Sequence, residues 1–371
     1  MELSTYIVYF GLMIFVVTLG VLAQKQYIWG DKLRTNKRQI AYMLLAMAVS
    51  LAFVSAIRFQ VGVDWEGYVE SYNNLRFLGS DRSILEVWEF GFSMINRFFS
   101  YLDMGYQWMF FVVAIVGWLA YLKAIPVLVL PLALYFTFTG EVYFWSNNAV
   151  RQFVAAAFLL YSFQFIYERN IIKYSLSIFI GTLFHISVIL FLPLYYVCAK
   201  FPKNKYFYPI VVVSSFIIGQ TKIYITLLSF VESQFLNLAS FLGYAGYFSR
   251  LQDVQLPEAG LGFYWIVLTN LIVVIVIPWS KSKLLPLHPY LAAFTIGVVL
   301  FNLLYVSHFV GRITSSLLIF KPMLLAYTFK LVPNHALGLW YKGFLIFGYC
   351  LILITAIEKG SHQCCPYNWM L

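Results

Sequence analysis

Residues that could bind an anion lie together where an uncharged run ends. Arg58 follows the uncharged residues 39–57, and Gly62, Asp64 and Tyr68 come within the next ten positions. Only 11% of the 371 residues are charged, and a charge beside a membrane-spanning segment is costly. Arginine can bind phosphate through its planar fork of donors, glycine permits close backbone approach, and aspartate can accept a proton. The cluster indicates a binding or catalytic site at one membrane surface.

The composition indicates the elements that must position this cluster. Hydrophobic residues make up 62% of the chain, aromatic residues make up 20%, and mean hydropathy is +0.80. Soluble domains are roughly 45–50% apolar, and about 20 apolar residues cross a bilayer as a helix. Runs of that length recur along the chain. We therefore predict an all-α polytopic membrane protein with about twelve transmembrane helices in a single domain covering residues 1–371.

The distribution of charge predicts how the helices are oriented. The loop at 25–38 holds five basic residues and one acid, so it should be cytoplasmic under the positive-inside rule. Two long segments, about 58–103 and 222–258, then lie outside. The net charge of +10 reflects this topology and does not indicate a nucleic-acid partner. The residues 174–199 could form one long helix or two short helices that turn near His185. We prefer two short helices, because the basic loops that follow then stay in the cytoplasm, as the positive-inside rule requires.

This topology brings further polar residues to the same outer level as Arg58. Each has a structural alternative, since arginines at helix ends can be interfacial anchors and a lone histidine can be a packing residue. Asp64 or His185 could act in proton transfer, with Glu66, Glu70 or Glu89 as alternatives to Asp64. The predicted substrate-binding residues are Arg58, Gly62, Tyr68, Asn148, Arg151, Gln152 and Arg312, and the predicted catalytic residues are Asp64 and His185.

Other features narrow the chemistry. The chain lacks the P-loop, dinucleotide and HExxH motifs, and its four cysteines have no metal-ligand spacing, so we predict neither a cofactor nor a metal. No soluble domain is predicted that could hold a nucleotide sugar, so any glycosyl donor would have to arrive attached to lipid. External aromatic residues, among them Trp88 and Trp145, could stack on sugars or simply form an interfacial belt.

We expect Arg312 to begin a membrane span that ends near Lys330. Lys321 is the one charged residue left at membrane depth, roughly 13 Å beyond Arg312 by helical rise. It could snorkel, line a cavity, or kink the helix together with Pro322.

The ordered combination of these short motifs resembles the EpsG family of Wzy-like polysaccharide polymerases. The residues that carry the resemblance are Arg58-x-x-x-Gly62-x-Asp64-x-x-x-Tyr68, Glu89-Phe-Gly91-Phe92, Asn148-x-x-Arg151-Gln152, His185-x-Ser187, Arg312 and Pro366-Tyr367.

The resemblance implies a bacterial inner-membrane polymerase with a GT-C-like fold and an outward-facing site. Its substrate would be an undecaprenyl-diphosphate-linked oligosaccharide, which it would polymerise into O-antigen or exopolysaccharide on the outer face of the membrane. Arg58, Arg151 and Arg312 would hold diphosphates, while Asp64 or His185 would assist the acceptor hydroxyl. Expected partners are membrane lipids, a chain-length regulator and a flippase. The alternatives are an O-antigen ligase and a flippase or other transporter of the lipid-linked oligosaccharide.

Overall fold

A computed structural model describes residues 3–30, 36–78, 88–221, 230, 260–280, 287–304 and 308–369. These residues form helices and no strand, with one isolated β-bridge between Arg58 and Trp369. The α-helices are α1 Leu3–Gly30, α2 Lys37–Ile57, α3 Trp65–Leu78, α4 Phe90–Tyr101, α5 Tyr106–Ala124, α6 Leu130–Thr139, α7 Val142–Asn148, α8 Val150–Ser162, α9 Gln164–Tyr167, α10 Ile171–Thr182, α11 Leu194–Ala199, α12 Phe207–Gly219, α13 Leu261–Trp279, α14 His288–Leu304, α15 His308–Leu318, α16 Lys321–Leu331 and α17 Ala336–Glu358. Two 3-10 helices cover Ile186–Phe191 and Ser361–Gln363.

Several of these helices are long and apolar enough to cross a membrane. In the described part of the chain there are six, within or equal to α1, α2, α5, α8 with α9, α13 and α17, and further apolar helices are shorter. Helices α13 and α17 direct large apolar side chains outwards, among them Leu261, Trp340 and Phe347. The prediction of an all-α, multi-pass membrane protein is confirmed. The number of twelve spans and the GT-C-like fold stay predictions.

Helices α2, α5 and α8 form the centre of the bundle. Helix α5 packs against α2 on one side and α8 on the other, and α8 also packs against α10. The approach of α5 to α8 is close at Gly117, where an added Cβ would lie 3.1 Å from the Phe153 ring. Next to it, the rings of Trp118 and Phe153 have centroids 4.6 Å apart. This core fixes the end of α2 beside the start of α8.

The residues that follow α2 form two helices and not an open loop. Helices α3 and α4 pack on each other, and α4 buries Phe92 and Phe99 against the aromatic end of α5. The described parts of segment 58–103 are thus an ordered cap on the bundle. Segment 222–258 falls outside the described residues except for Phe230, and the side of the membrane on which both segments lie stays a prediction.

The residues 174–199 break into separate helices around His185. The Tyr174 hydroxyl donates a hydrogen bond to the carbonyl of Phe191 at 2.7 Å. In a continuous helix these residues would be about 25 Å apart. The chain therefore folds back on itself, and the prediction of two short helices with a turn near His185 is confirmed.

The region of Arg312 corrects one predicted boundary. We expected Arg312 to begin a span that ends near Lys330, whereas α15 begins at His308 and ends at Leu318. A second helix starts at Lys321, with Pro322 in its first turn. Proline is favourable there because its missing N–H would have no helical partner at that position. Pro322 therefore starts a helix and does not kink one.

The C-terminal residues pack back against the first two helices. The Tyr367 N–H donates to Thr5 Oγ1 at 3.0 Å, and the Phe59 N–H donates to the carbonyl of Asn368 at 2.9 Å. The Gly62 N–H donates to the carbonyl of Gln363 at 2.8 Å. These bonds hold the residues between α2 and α3 in place.

Candidate functional site

A cavity of about 810 Å³ lies where five separate parts of the chain meet. Its walls come from the loop and helix after α2, the residues just before α4, the junction of α7 with α8, the turn after α10, and α15. All the predicted site residues except Arg58 and Gly62 line it, namely Asp64, Tyr68, Asn148, Arg151, Gln152, His185 and Arg312. Trp88 and Trp145 add aromatic walls. The predicted convergence of distant residues is thus present in the fold.

Glu89 holds Arg151 in the cavity wall. Arg151 Nη1 forms a charge-assisted hydrogen bond and salt bridge with Glu89 Oε2. The other oxygen of the same carboxylate accepts a hydrogen bond from the Ile186 N–H at 3.2 Å. One carboxylate therefore joins α8 to the turn that contains His185. Because the side chains of Arg151 and Glu89 are only 21% and 14% exposed, the pair is shielded from water.

Aromatic rings complete the surroundings of Arg151. Its guanidinium carbon lies 4.5 Å from the centroid of the Trp88 ring and 5.9 Å from that of Tyr68. Such cation–π contacts stabilise the charge and orient the planar group. Trp88 in turn stacks on Phe92, with centroids 4.7 Å apart. Arg151 is therefore a rigidly held cation beside aromatic surfaces.

Asp64 interacts electrostatically with both cations of the cavity, Arg312 and Arg151. Its backbone N–H donates to Asn148 Oδ1 at 3.1 Å, which fixes the start of α3 against the α7–α8 junction. Burial by the surrounding protein raises the pKa of Asp64, while the charges of Arg312 and Arg151 oppose that shift. The side chain remains open to the cavity. A carboxylate with a raised pKa is a better proton acceptor than an ordinary aspartate.

His185 lies in the turn between α10 and the following 3-10 helix. Its Nδ1 lies 2.7 Å from Ser187 Oγ and accepts a longer hydrogen bond from the Ser187 N–H at 3.4 Å. Burial, together with the smaller effect of the Arg151 and Arg312 charges, lowers the pKa of His185 to about 3. A neutral imidazole that accepts at Nδ1 carries its proton on Nε2. In this tautomer the Nε2–H of His185 can donate a hydrogen bond, and the low pKa makes the imidazole a weak proton acceptor.

Gln152 connects α8 to the helix that holds Arg312. Its Nε2 donates to the backbone carbonyl of Arg312 and lies 3.4 Å from Ser316 Oγ. The Gln152 side chain is buried. Gln152 therefore sets the position of α15 relative to α8, and with it the distance of Arg312 from Arg151.

Arg58 and Gly62 lie behind the cavity wall and do not line it. Arg58 is 1% exposed, its Nη1 donates to Asn147 Oδ1 at 2.8 Å, and its guanidinium carbon lies 4.4 Å from the centroid of Phe110. Gly62 has a φ of +100°, and an added Cβ would lie 3.0 Å from the carbonyl oxygen of Asn147. Both residues support the backbone next to Asn148. The expectation that they contact substrate directly does not fit this placement.

Some residues of the site were not assigned a role from the sequence. Glu89 was considered only as an alternative base, although it is the partner of Arg151. Gly91 donates its N–H to the carbonyl of Leu183 at 2.8 Å, and a Cβ there would lie 2.8 Å from that oxygen. The Glu89-Phe-Gly91-Phe92 motif was the available signal, but the sequence does not show what it contacts. Among the described residues, no group of three His, Cys, Asp or Glu side chains could hold a metal ion.

The fold and the cavity define a multi-pass helical membrane protein with a cationic, aromatic-walled site. The chain belongs to the EpsG family, whose model matches residues 41–369, nearly its whole length. EpsG is a family of Wzy-like polysaccharide polymerases, so the membership indicates a role in polysaccharide synthesis. No curated protein and no solved structure matches the chain. The resemblance found in the sequence is thus confirmed.

Proposed function

We propose that this protein polymerises oligosaccharide repeat units that are linked to undecaprenyl diphosphate, by glycosyl transfer at the outer face of the bacterial inner membrane. One observation carries the proposal. In this membrane protein of the EpsG family, two arginines, a carboxylate and a neutral histidine line the same cavity. The product would be O-antigen or exopolysaccharide. We further propose a flippase, which would deliver the lipid-linked units to the outer face, and a chain-length regulator as partners.

Arg151 and Arg312 are suited to bind the diphosphate of the donor. Two guanidinium groups offer fixed donors and permanent positive charge to phosphate oxygens. When the bond between the anomeric carbon and the diphosphate oxygen breaks, negative charge grows on the leaving group. Preorganised cations in a shielded site stabilise that charge more in the transition state than in the ground state. His185 can add a neutral N–H donor to the same oxygens.

Asp64 is suited to receive the proton of the acceptor hydroxyl. The acceptor oxygen forms the new bond to the anomeric carbon as its proton passes to the Asp64 carboxylate. The electron pair of the broken bond leaves with the lipid diphosphate, and Asp64 returns its proton to water. The raised pKa of Asp64 favours this transfer.

The aromatic walls fit a carbohydrate substrate. Trp88, Trp145 and Tyr68 all line the cavity, and the flat apolar faces of sugar rings can pack on aromatic rings. The volume of about 810 Å³ lies within the range of roughly 300–1,000 Å³ that is usual for ligand sites. The site can therefore hold more than one sugar next to the diphosphate.

Reconstitution with purified lipid-linked repeat units tests the proposal. Gel analysis should show a ladder of polymer with the wild-type protein and single repeat units with Arg151→Gln or Arg312→Gln. Arg97→Gln is the matched control, because Arg97 is an exposed arginine on α4 that does not line the cavity. A full ladder from both cavity variants would refute the assigned site. Failure of folded wild-type protein to extend the units would refute the function itself.

A further inference from the structure

A second, smaller cavity adjoins the site. It has a volume of about 200 Å³ and shares the side chains of Trp145 and Ser315 with the larger cavity. It lies between α13, α16 and α17, on the side of the bundle where α13 and α17 expose apolar residues. Apolar side chains form most of its wall, namely Phe136, Val142, Ile266, Leu318, Ile319 and Leu325.

Lys321 is the cation of this side cavity. Its Nζ donates one hydrogen bond, to the carbonyl of Ile266 at 3.4 Å. No carboxylate lies within salt-bridge distance of it among the described residues. An ammonium group has three donors, so Lys321 retains the capacity to bind an anion. A lysine on an apolar wall without a counter-ion is costly unless a ligand supplies the charge.

Two other polar groups border the side cavity. The Tyr349 hydroxyl is buried beside Thr269, and no atom of the described residues meets the geometry of a hydrogen bond to it, so it can donate to a ligand oxygen. Glu141 accepts a hydrogen bond from Ser361 Oγ and lies 4.0 Å from His362 Nε2. The carboxylate is therefore engaged by the C-terminal residues and is not paired with Lys321.

We propose that the side cavity binds the phosphate-proximal end of a polyprenyl chain, with Lys321 and Tyr349 contacting the phosphate attached to that chain. This inference rests on the proposed function, because it places the lipid part of the same substrate. The apolar walls replace hydrocarbon around the first isoprene units, and the shared residues Trp145 and Ser315 mark where the diphosphate passes into the larger cavity. Ile266 of α13 lines the cavity and is partly exposed, so the rest of the chain can continue past it into the bilayer.

The experiment that tests this proposal uses the full-length protein in nanodiscs and lipid phosphates that carry no sugar. Binding of isopentenyl, farnesyl and undecaprenyl phosphates is measured by native mass spectrometry, with phosphatidylglycerol as the alternative phosphate lipid. In the wild type, affinity should rise from the isopentenyl to the farnesyl compound. Lys321→Gln should weaken binding of all three by roughly tenfold, the equivalent of one charge-assisted hydrogen bond.

A second variant blocks the apolar part of the cavity. Ile266 lines the cavity and is 38% exposed, so Ile266→Trp can fill the space without repacking the core. It should abolish the advantage of farnesyl over isopentenyl phosphate. The controls are Lys330→Gln, on the same helix as Lys321, and Leu268→Trp, at a residue of α13 that is 41% exposed and does not line the cavity. Both controls should bind like the wild type.

The outcomes separate this inference from the function. Two results would overturn the side cavity as a polyprenyl site, even if the wild type makes polymer. One is unchanged binding in both Lys321→Gln and Ile266→Trp. The other is equal binding of phosphatidylglycerol and undecaprenyl phosphate. Weaker binding of all three polyprenyl phosphates in Lys321→Gln, together with loss of the farnesyl advantage in Ile266→Trp, would support the site. That result would stand even if the wild type failed to join repeat units.

Discussion

Replacing Glu89 by glutamine should destabilise the protein by removing the counter-charge of Arg151. The carboxylate binds Arg151 Nη1 and the Ile186 N–H, and both charged side chains are mostly shielded. Breaking a fully buried ion pair costs about 3–5 kcal/mol, because one charge is left without a partner. Since 14% of the Glu89 side chain and 21% of the Arg151 side chain are exposed, and glutamine keeps one acceptor oxygen, we expect a loss of about 2 kcal/mol.

A double-mutant cycle shows whether this loss comes from the pair. Glu89→Gln with Arg151→Gln removes both charges, so the double variant should lose at least about 1 kcal/mol less than the sum of the two single losses. The assay is equilibrium unfolding by SDS in mixed micelles, followed by the fluorescence of the chain's ten tryptophans. Losses that add to within about 0.5 kcal/mol would show that Glu89 does not act through Arg151.

An exposed pair provides the control for this cycle. Arg76 and Asp103 also form a salt bridge, but the Asp103 side chain is 83% exposed. Surface pairs contribute about 0–1 kcal/mol because water already solvates both charges. Asp103→Asn should therefore change stability much less than Glu89→Gln does. An equal loss in the two variants would refute burial as the reason.

Three further predictions concern the surroundings of the cavity. Arg58→Gln should lower stability by about 3 kcal/mol in the same unfolding assay, because it loses a charged hydrogen bond to Asn147 and a cation–π contact. If the variant is as stable as the wild type but yields only single repeat units, Arg58 instead binds the substrate. Gly91→Ala should cost about 1–3 kcal/mol, because its Cβ would overlap Leu183, and a neutral result would show that the contact relaxes freely. The value of kcat/KM should fall as pH decreases through the raised pKa of Asp64, since the proton acceptor becomes protonated there. Asp64→Asn should abolish most of the rate together with this pH dependence. If kcat/KM of the variant still falls at low pH, another residue is the base.

The aromatic composition of the cavity shows where reasoning from the sequence was limited. Trp88 and Trp145 were consistent with an interfacial belt as well as with sugar binding, and only the fold places both on a cavity wall. Lys321 had three possible roles, and the structure selects the cavity wall for it. In each case the residue type allowed several environments, because neighbours from distant helices decide which side of a helix is covered.

The sequence by itself determined the helical membrane class and the family, and it favoured a break near His185. These properties depend on apolar run length, on the position of charges and on short motifs, all of which are local. Only the tertiary structure decided that Arg151 lines the cavity while Arg58 packs behind it. Both arginines lie next to a helix end, but Asn147 and Phe110 enclose Arg58, whereas Glu89 holds Arg151 at the cavity wall. Those contacts join residues 52 to 89 positions apart, and the sequence contains no local signal that specifies them.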